Sequence, residues 1–252
     1  MLKRRIIPIQ LLMNGRLVKT QQFGIWRDVG DPVKSASVYN SQYADELIFL
    51  NIARNERSII QMADIIKEVS KVCFMPLSVG GGVDSLHSAA YLIENGADKV
   101  VINSAAYKDY GLIEKIANHF GSQAIIVCVD IKRNGDNFNV VSDCGSRVEN
   151  VSFINHIKHC EDSGAGEFLI QSVDQDGVMS GYDIELLKIA CKNSRLPIIG
   201  CGGAGDFNHL KEAFFESDVN ALACGSLFNF SDSNPLRAKA YLSNYGLSFK
   251  VV

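Results

Sequence analysis

Eight short apolar runs, rich in Val, Ile and Leu, alternate with segments of helical periodicity along the chain. A parallel strand buried on both faces reads as a continuous apolar run, and each crossover to the next parallel strand is usually made by a helix. The predicted strands are 5–12, 46–51, 76–80, 99–103, 124–130, 167–171, 197–201 and 221–224. The predicted helices are 32–43, 56–72, 85–95, 110–120, 151–163, 183–193, 206–216 and 235–245. This alternation predicts βαβ units around a parallel sheet.

The chain length selects between the architectures that such units can build. Dividing 252 residues by eight units gives about 31 residues per unit, as a closed (β/α)8 barrel of about 250 residues requires. An open doubly wound sheet is the alternative, but its first strand should be followed by G-x-G-x-x-G, which the sequence lacks. We therefore predict an α/β fold, a single (β/α)8 TIM barrel, occupying residues 1–252 as one domain.

The sequence also contains an internal repeat. Residues 76–82 read PLSVGGG and residues 197–203 read PIIGCGG, an offset of 121 residues. After each copy come a helix and a strand that ends in a small polar pair, Asn103-Ser104 or Gly225-Ser226. The repeat predicts two similar half-barrels, approximately 1–122 and 123–252.

Composition and charge exclude several classes of protein. Lys and Arg total 25 against 28 Asp and Glu, a formal net charge of −3, so no broad positive surface exists for nucleic acid. The longest run without Asp, Glu, Lys or Arg, 116–129, is too short to span a bilayer, and the N-terminal residues make a poor signal peptide. The seven cysteines include no C-x-x-C pair, which argues against a disulfide framework and a zinc site. We expect a cytoplasmic protein without a metal, a cofactor, or a nucleic-acid or membrane partner.

Two glycine clusters, 80–82 and 202–205, each join a strand end to a helix start. Bare backbone N–H groups and the helix dipole favour a phosphate oxygen there, and the side chains of Asn103, Ser104 and Ser226 add donors. A tight turn alone explains one such cluster, but two at equivalent places favour phosphate binding. The pattern predicts a ligand with a phosphate at each end.

Carboxylates that follow predicted strands are candidates for proton transfer, because barrel enzymes place their working groups at the C-terminal ends of strands. Asp130 ends an otherwise apolar run, which favours a functional role. Asp174 and Asp176 follow the sixth strand in a loop that ends at Gly177, where turn capping explains them equally well.

Four charged residues stand at the opposite ends of the predicted strands. Two of them are positive and two negative, and if their side chains face inward they can form a ring that closes the bottom of the barrel, because buried charges need partners. From the residues alone, a stabilising plug is the better explanation of such a ring. The four are Arg5, Glu46, Lys99 and Glu167.

Two further features have competing explanations. His156 and His159 lie three residues apart on a predicted helix, where a solvated helix face explains them better than a metal site. Trp26 lies in the polar loop after the first strand, which is consistent with either a mobile lid or ordinary loop packing.

Taken together, the motifs resemble the cyclase subunit of imidazole glycerol phosphate synthase, a (β/α)8 barrel, over nearly the whole chain. In that family the subunit receives ammonia from a glutaminase docked on the bottom of the barrel. At the top, it uses ammonia to cleave and cyclise a substrate that carries two phosphates. The segments that carry the resemblance are 5–8 (RIIP), 15–19 (GRLVK), 30–32 (GDP), 79–82 (VGGG), 96–100 (GADKV), 120–123 (FGSQ), 164–167 (GAGE), 174–177 (DQDG), 180–183 (SGYD) and 202–205 (GGAG).

The resemblance implies roles for particular residues. The charged ring corresponds to the family's ammonia gate, which reverses the preference for a plain plug, and Lys19 corresponds to the lysine of the lid loop. Asp98 and Gln123 correspond to positions at the glutaminase interface. One phosphate site falls on Gly82, Asn103 and Ser104, and the other on Asp176, Gly177, Gly203, Gly225 and Ser226.

The departures from the family lie at the top of the barrel. Of the two aspartates on which the cyclase chemistry relies, Asp130 matches the second, but Leu11 stands in place of the first. Loss of a positioned acid or base typically costs ~10²–10⁴-fold in rate, so we expect the lyase/cyclase activity to be impaired or lost. Asn51, Cys144 and Gln171 also replace the usual residues.

Three hypotheses follow for the function. The leading one is a paralogue that still docks a glutaminase and conducts ammonia, but to a different acceptor. Resemblance to divergent members encoded with surface-polysaccharide genes points to a third protein, a sugar amidotransferase that forms an amidine on an acetamido sugar. The alternatives are a working cyclase of histidine biosynthesis, in which Asp130 with Asp176 or a water replaces the missing acid, and a non-catalytic subunit that senses a phosphorylated ligand and activates the glutaminase.

Overall fold

The computed structural model describes residues 3–54, 57–135 and 137–250. Its strands are β1 (Arg5–Met13), β2 (Arg16–Thr20), β3 (Trp26–Gly30), β4 (Leu47–Asn51), β5 (Leu77–Gly80), β6 (Lys99–Ile102), β7 (Ile125–Asn134), β8 (Asn137–Ser142), β9 (Arg147–Val148), β10 (Glu167–Ser172), β11 (Ile198–Cys201) and β12 (Ala221–Cys224). Its helices are α1 (Pro32–Ser41), α2 (Ile59–Val69), α3 (Leu86–Glu94), α4 (Gly111–Phe120), α5 (Phe153–Asp162), α6 (Ile184–Asn193), α7 (Phe207–Ser217), α8 (Ser226–Phe230) and α9 (Pro235–Ser243).

Eight of these strands form a closed parallel barrel in the order β1-β4-β5-β6-β7-β10-β11-β12. The parallel pairing of β12 with β1 and of β7 with β10 leaves no open edge. All eight are the predicted apolar runs, so the predicted fold class is confirmed. The division into half-barrels near residue 122 stays a prediction.

Short polar residues begin most of the helices. Asp31 accepts a hydrogen bond from the N–H of Lys34, and Pro32 occupies the first turn of α1. Helix α2 begins after Ser58, which caps it, rather than at residue 56 as predicted; Glu56 lies outside the described residues. Ser85, Ser152, Asp183, Asp206 and Asn234 cap other helices in the same way.

Two hairpins and one short helix were not predicted. Strands β2 and β3 form an antiparallel ribbon in the β1–α1 connection, and β8 pairs with the extension of β7 beyond the barrel. The strands β3 and β9 are largely exposed, and β2 and β8 contain only two and three apolar residues, so their sequence signal is too short to indicate a strand. Trp26, on β3, is half-exposed at 51%.

Alternate residues of the barrel strands face its interior. On β1 these are Ile7 and Ile9, which are both buried. The interior cluster also contains Ile48, Val101, Ile126, Cys128, Leu169, Ile199, Cys201, Ala221 and Ala223. The opposite faces of the strands join the larger apolar layer beneath the helices. Among the residues that the structure describes, no helix is long and apolar enough to cross a membrane.

The prediction of a solvated face for His156 is wrong. Its side chain is fully buried, stacked on Tyr107 at 4.2 Å between ring centroids, and its Nδ1 lies 2.9 Å from the hydroxyl of Tyr110. The two tyrosines come from the β6–α4 connection and cover this side of α5. Burial lowers the pKa of His156 to about 4, so the ring is neutral at physiological pH.

Candidate active site

A cavity of about 1260 Å³ opens at the C-terminal ends of the barrel strands. Its walls come from the β1–β3 segment and from the loops after the other barrel strands. Most of the top-face residues singled out from the sequence line it: Leu11, Lys19, Gly82, Asn103, Ser104, Asp130, Asp176, Gly177, Gly203, Gly225 and Ser226. Asp174 is not among the lining residues, and its Oδ2 accepts a 2.7 Å hydrogen bond from the N–H of Arg133. In a barrel of this architecture, this end is where ligands bind.

Asp130 lies on β7, and its side chain faces the cavity with only 7% of the residue exposed. Its Oδ2 accepts a 2.9 Å hydrogen bond from Asn103 Nδ2, and its Oδ1 lies 3.4 Å from the thiol of Cys128. Burial raises the pKa of Asp130 to about 7, because these neutral partners stabilise the carboxylate less than burial destabilises it. Near neutral pH the group is therefore suited to both accept and donate a proton.

Asp176 and Lys19 form the second polar centre of the cavity. Asp176 Oδ2 accepts a 2.6 Å hydrogen bond from Thr20 Oγ1, and burial raises its pKa despite the nearby Lys19 charge. Lys19, expected on a lid loop, lies on β2 and is buried, with its ammonium group donating to the carbonyl of Ile9. Burial lowers the pKa of Lys19 to about 8, partly offset by the charge of Asp176.

The glycine clusters follow β5 and β11, at equivalent places in the barrel. Gly82 and Gly203 have φ angles of +98° and +111°, which favour glycine, and a Cβ on Gly203 would overlap the carbonyl of Gly181. The N–H groups of both glycines donate to no described residue. Both glycines line the cavity, and backbone N–H groups of such loops are suited to a phosphate oxygen.

The side of the cavity formed by β1 and β4 is apolar except for Asn51 at the end of β4. Leu11, in place of the expected carboxylate, is partly buried there with Ile9 and Leu50. Asn51, Cys144 and Gln171, the other departures from the family, also line the cavity. Asp130 and Asp176 are the buried carboxylates among the described lining residues, whereas Asp84 and Asp109 line the cavity with exposed side chains.

The four charged residues at the other end of the barrel form a connected ring. Arg5 Nη1 lies 2.6 Å from Glu46 Oε1, and Arg5 also pairs with Glu167. Lys99 Nζ lies 3.2 Å from a carboxylate oxygen of each glutamate. Both glutamate side chains are only 8% exposed. The ring therefore contains two positive and two negative charges and carries no net charge.

Between the ring and the cavity the lumen of the barrel is filled by buried apolar side chains, among them Ile7, Ile48 and Ile126. Alternate residues of one strand lie on one face at about 3.3 Å per residue, so Arg5, Ile7 and Ile9 follow one another from the ring to the cavity floor. The hydroxyl of Ser78 is buried and has no hydrogen-bond partner among the described residues.

Asp98 and Gln123, expected at an interface, are exposed near the ring end of the barrel. Asp98 Oδ2 accepts a 2.8 Å hydrogen bond from the N–H of Leu77, and Gln123 Nε2 donates to the carbonyl of Phe120 at 2.9 Å. Phe74, in the loop before β5, is 83% exposed on the same end. An exposed aromatic side chain beside polar groups is common in protein interfaces.

Arg57 was not singled out from the sequence, although it lines the cavity. It lies in the β4–α2 connection, where no motif distinguishes it from an ordinary solvated arginine. Its guanidinium contacts Asp143 and Cys144 in the β8–β9 turn, a hairpin that the sequence pattern did not predict. The contact depends on that turn, so no sequence signal could have found it.

Comparisons with known proteins agree with this architecture. The sequence profile of the family described as histidine biosynthesis protein matches residues 5–233. The chain is also similar to imidazole glycerol phosphate synthase subunit HisF from Chloroherpeton thalassium, with 38% identity over 251 residues that cover 100% of both chains.

Proposed function

The chain belongs to the histidine biosynthesis protein family, as a member similar to the HisF subunit, and we propose that it conducts ammonia from a glutaminase to an acceptor other than the usual cyclase substrate. One observation carries this proposal. The charged ring and the apolar lumen are complete, whereas Leu11 occupies the cavity wall where the family's cyclase chemistry needs an aspartate.

The ring and lumen suit the passage of ammonia. Ammonia is small and neutral, so it crosses an apolar lumen without the desolvation penalty that an ammonium ion would meet. The ring closes the lumen by ion pairs, and a partner that displaces Lys99 from Glu46 and Glu167 would open it. The unpartnered hydroxyl of Ser78 offers one hydrogen bond on the way.

A glutaminase is the proposed source of ammonia, because the family resemblance assigns it to the ring end. Asp98, Gln123 and the exposed Phe74 provide a mixed polar and aromatic surface there. A partner docked on this surface would release ammonia next to the ring and keep it from bulk water.

The proposed acceptor is a third protein, a sugar amidotransferase that forms an amidine on an acetamido sugar. Such a reaction needs ammonia as nucleophile but no cyclisation at the top of this barrel. Leu11 supports this, because it supplies no proton, while the glycine loops remain suited to a phosphorylated ligand.

A working lyase/cyclase of histidine biosynthesis is the second candidate. It is favoured by Asp130, whose pKa of about 7 suits an acid that also acts as a base, and by Asp176 in the same cavity. In that case Asp130, with Asp176 or a water, would replace the missing acid.

Supplying the purified protein with the bisphosphate ribulosyl substrate and an ammonium salt separates the two candidates. We expect little or no imidazole glycerol phosphate from the wild type and a measurable gain from Leu11→Asp. Leu11→Asn, which has a similar shape but cannot take up a proton, is the matched control. Formation of product by the wild type at ordinary enzymatic rates would contradict the proposal and favour the second candidate.

A further inference from the structure

Arg57 lies directly against the first glycine loop. A Cβ placed on Gly82 would be 3.0 Å from the Cβ of Arg57, so the two backbones run side by side at this corner of the cavity. The Arg57 side chain lines the cavity and is only 21% exposed. Its charge is therefore held within the site and is less screened by water than a surface charge.

The protein orients the Arg57 guanidinium but leaves some of its N–H donors without a partner among the described residues. Nε donates to the carbonyl of Ala53 at 2.7 Å, and Nη2 lies 3.1 Å from Cys144 Sγ and 3.3 Å from Asp143 Oδ1. Nη1 donates to no residue that the structure describes. A guanidinium has five N–H donors in a planar fork that matches two phosphate oxygens.

The residues around Arg57 include the side-chain donors predicted for this end. Ser104 Oγ accepts a 3.1 Å hydrogen bond from the N–H of Asp143, and Ser104 lies beside Asn103 in the cavity wall. Asp143 thus connects Arg57 to Ser104. Its own side chain is 59% exposed and its contact with Arg57 is long, so this ion pair is weak.

We propose that Arg57 is a phosphate-binding residue of the cavity, acting with Gly82 and Ser104, and that Asp143 competes with the ligand phosphate for its guanidinium. This inference rests on the proposed binding of a phosphorylated ligand and adds the cation that the glycine loop alone lacks. A phosphate monoester dianion offers more charge and better geometry to the fork than the exposed carboxylate. When the ligand binds, the Arg57 guanidinium therefore exchanges its contact with Asp143 for the ligand phosphate.

The test is titration of the isotope-labelled full chain with inorganic phosphate, following the backbone amide signals of Gly82, Ser104 and Gly203. We expect Arg57→Gln to weaken binding reported by Gly82 and Ser104 about tenfold, since it removes a charge-assisted hydrogen bond, and to leave the Gly203 signal unaffected. Arg57→Lys keeps the charge but loses the planar fork of donors, so its affinity for phosphate should lie between those of the wild type and Arg57→Gln.

Asp143→Asn distinguishes binding from a structural tie. If Arg57 binds phosphate, removing its carboxylate competitor should tighten binding severalfold; if Arg57 only joins two loops, Asp143→Asn should weaken binding as Arg57→Gln does, which would overturn the inference. Arg54→Gln, a neutralised cation of the same cavity, is the matched control and should change binding less than Arg57→Gln.

The wild-type titration separates this inference from the proposed function. Phosphate-induced shifts at both glycine loops that Arg57→Gln leaves unchanged would overturn the role of Arg57 alone. Absence of shifts at both loops in the wild type would overturn the phosphate-binding part of the proposed function and the role of Arg57 with it.

Discussion

Asp130 gains its chemistry from where the barrel places it. The strand that carries it is apolar and buried, so the carboxyl group loses its hydration without gaining a cation within hydrogen-bond distance. Asn103 donates one hydrogen bond, which orients the carboxyl group, and the result is a pKa of about 7. The cost of this placement appears as pH-dependent stability.

Replacing Asp130 by Asn should stabilise the protein at high pH. The pKa in the folded state, about 7, lies above the unfolded value of 3.8, so the stability provided by the protonated form is fully present below about pH 4 and is lost as pH rises through 7. This difference between the folded and unfolded pKa of Asp130 corresponds to at most about 4 kcal/mol in the free energy of unfolding. The variant has no carboxyl group to ionise there and keeps an acceptor for Asn103.

Urea unfolding at pH 5 and pH 8.5 measures this effect. The advantage of the variant in free energy of unfolding should be larger at pH 8.5, and Asp64→Asn, on the exposed face of α2, should show no such trend. An Asp130→Asn advantage that stays constant over this range would mean that the carboxyl group is ionised in the native protein at pH 5.

At the residue level, sequence reasoning succeeded where position in the chain determines position in space. Asp130 and the glycine clusters follow barrel strands, and barrel geometry brings all strand ends to one rim. Arg57 and the burial of His156 depended instead on loops that pack against them. No periodic pattern of apolar and polar residues in the sequence indicates such packing of loops.

At the level of elements, the β2–β3 hairpin is what shapes the cavity beside β1. The strand β2 pairs with β1 and directs Lys19 inward, and the turn after it docks on the β10–α6 loop. Thr20 Oγ1 donates to Asp176, and the backbone N–H of Gln22 donates to the carbonyl of Asp176 at 2.8 Å. The hairpin thus joins two sides of the rim.

Thr20→Val should loosen this junction without changing the shape of the side chain. The variant leaves the buried Asp176 carboxylate without its hydroxyl donor, a loss of about 1–3 kcal/mol for a hydrogen bond to a charged group. We expect faster amide hydrogen exchange in residues 21–25, by about tenfold, while exchange in the barrel strands stays slow.

Arg16→Gln is the control on the same hairpin. It breaks an ion pair with Asp28 whose side chains are 55% and 45% exposed, and such exposed pairs contribute about 1 kcal/mol or less. Its effect on exchange in residues 21–25 should therefore be smaller. Equal effects of the two variants would mean that the Thr20–Asp176 contact does not hold the turn.

Strands and helices, too, could be predicted from the sequence only where burial or capping residues mark them. The eight barrel strands are buried on both faces, so their apolar runs are visible in the sequence. The hairpin strands β2 and β8 bury only a few apolar residues each, such as Leu17 and Val18 on β2, so their short sequences do not stand out as strands. Helix bounds were close because capping residues mark them.

At the level of the whole molecule, the barrel separates two chemistries along one axis. Ion pairs close one end, an apolar lumen follows, and a cavity with perturbed carboxyl groups opens at the other end. The sequence indicated the four charged residues but not their pairing, since a ring and four separate surface charges have the same sequence. The resemblance to a family supplied the interpretation as a gate.

Lys99→Met is the variant that separates a gate from a plug. The substitution leaves Arg5 alone between two glutamates, so the ring gains a net negative charge. It should lower the free energy of unfolding by about 1–3 kcal/mol. This loss is smaller than for a fully buried pair, because the Lys99 side chain is 19% exposed. Both readings predict this loss, and therefore stability alone does not decide between them.

The ratio of glutamine consumed to product formed distinguishes a gate from a plug. In the complex reconstituted with the glutaminase and the acceptor reaction, a broken ring should raise this ratio, because ammonia then escapes before it reaches the cavity. Free ammonium salt should restore product, since it supplies the cavity from solution. Lys188→Met, which removes an exposed lysine of α6 outside both the ring and the cavity lining, is the control. A Lys99→Met ratio equal to the wild type, with stability lowered, would mean that the ring only closes the barrel.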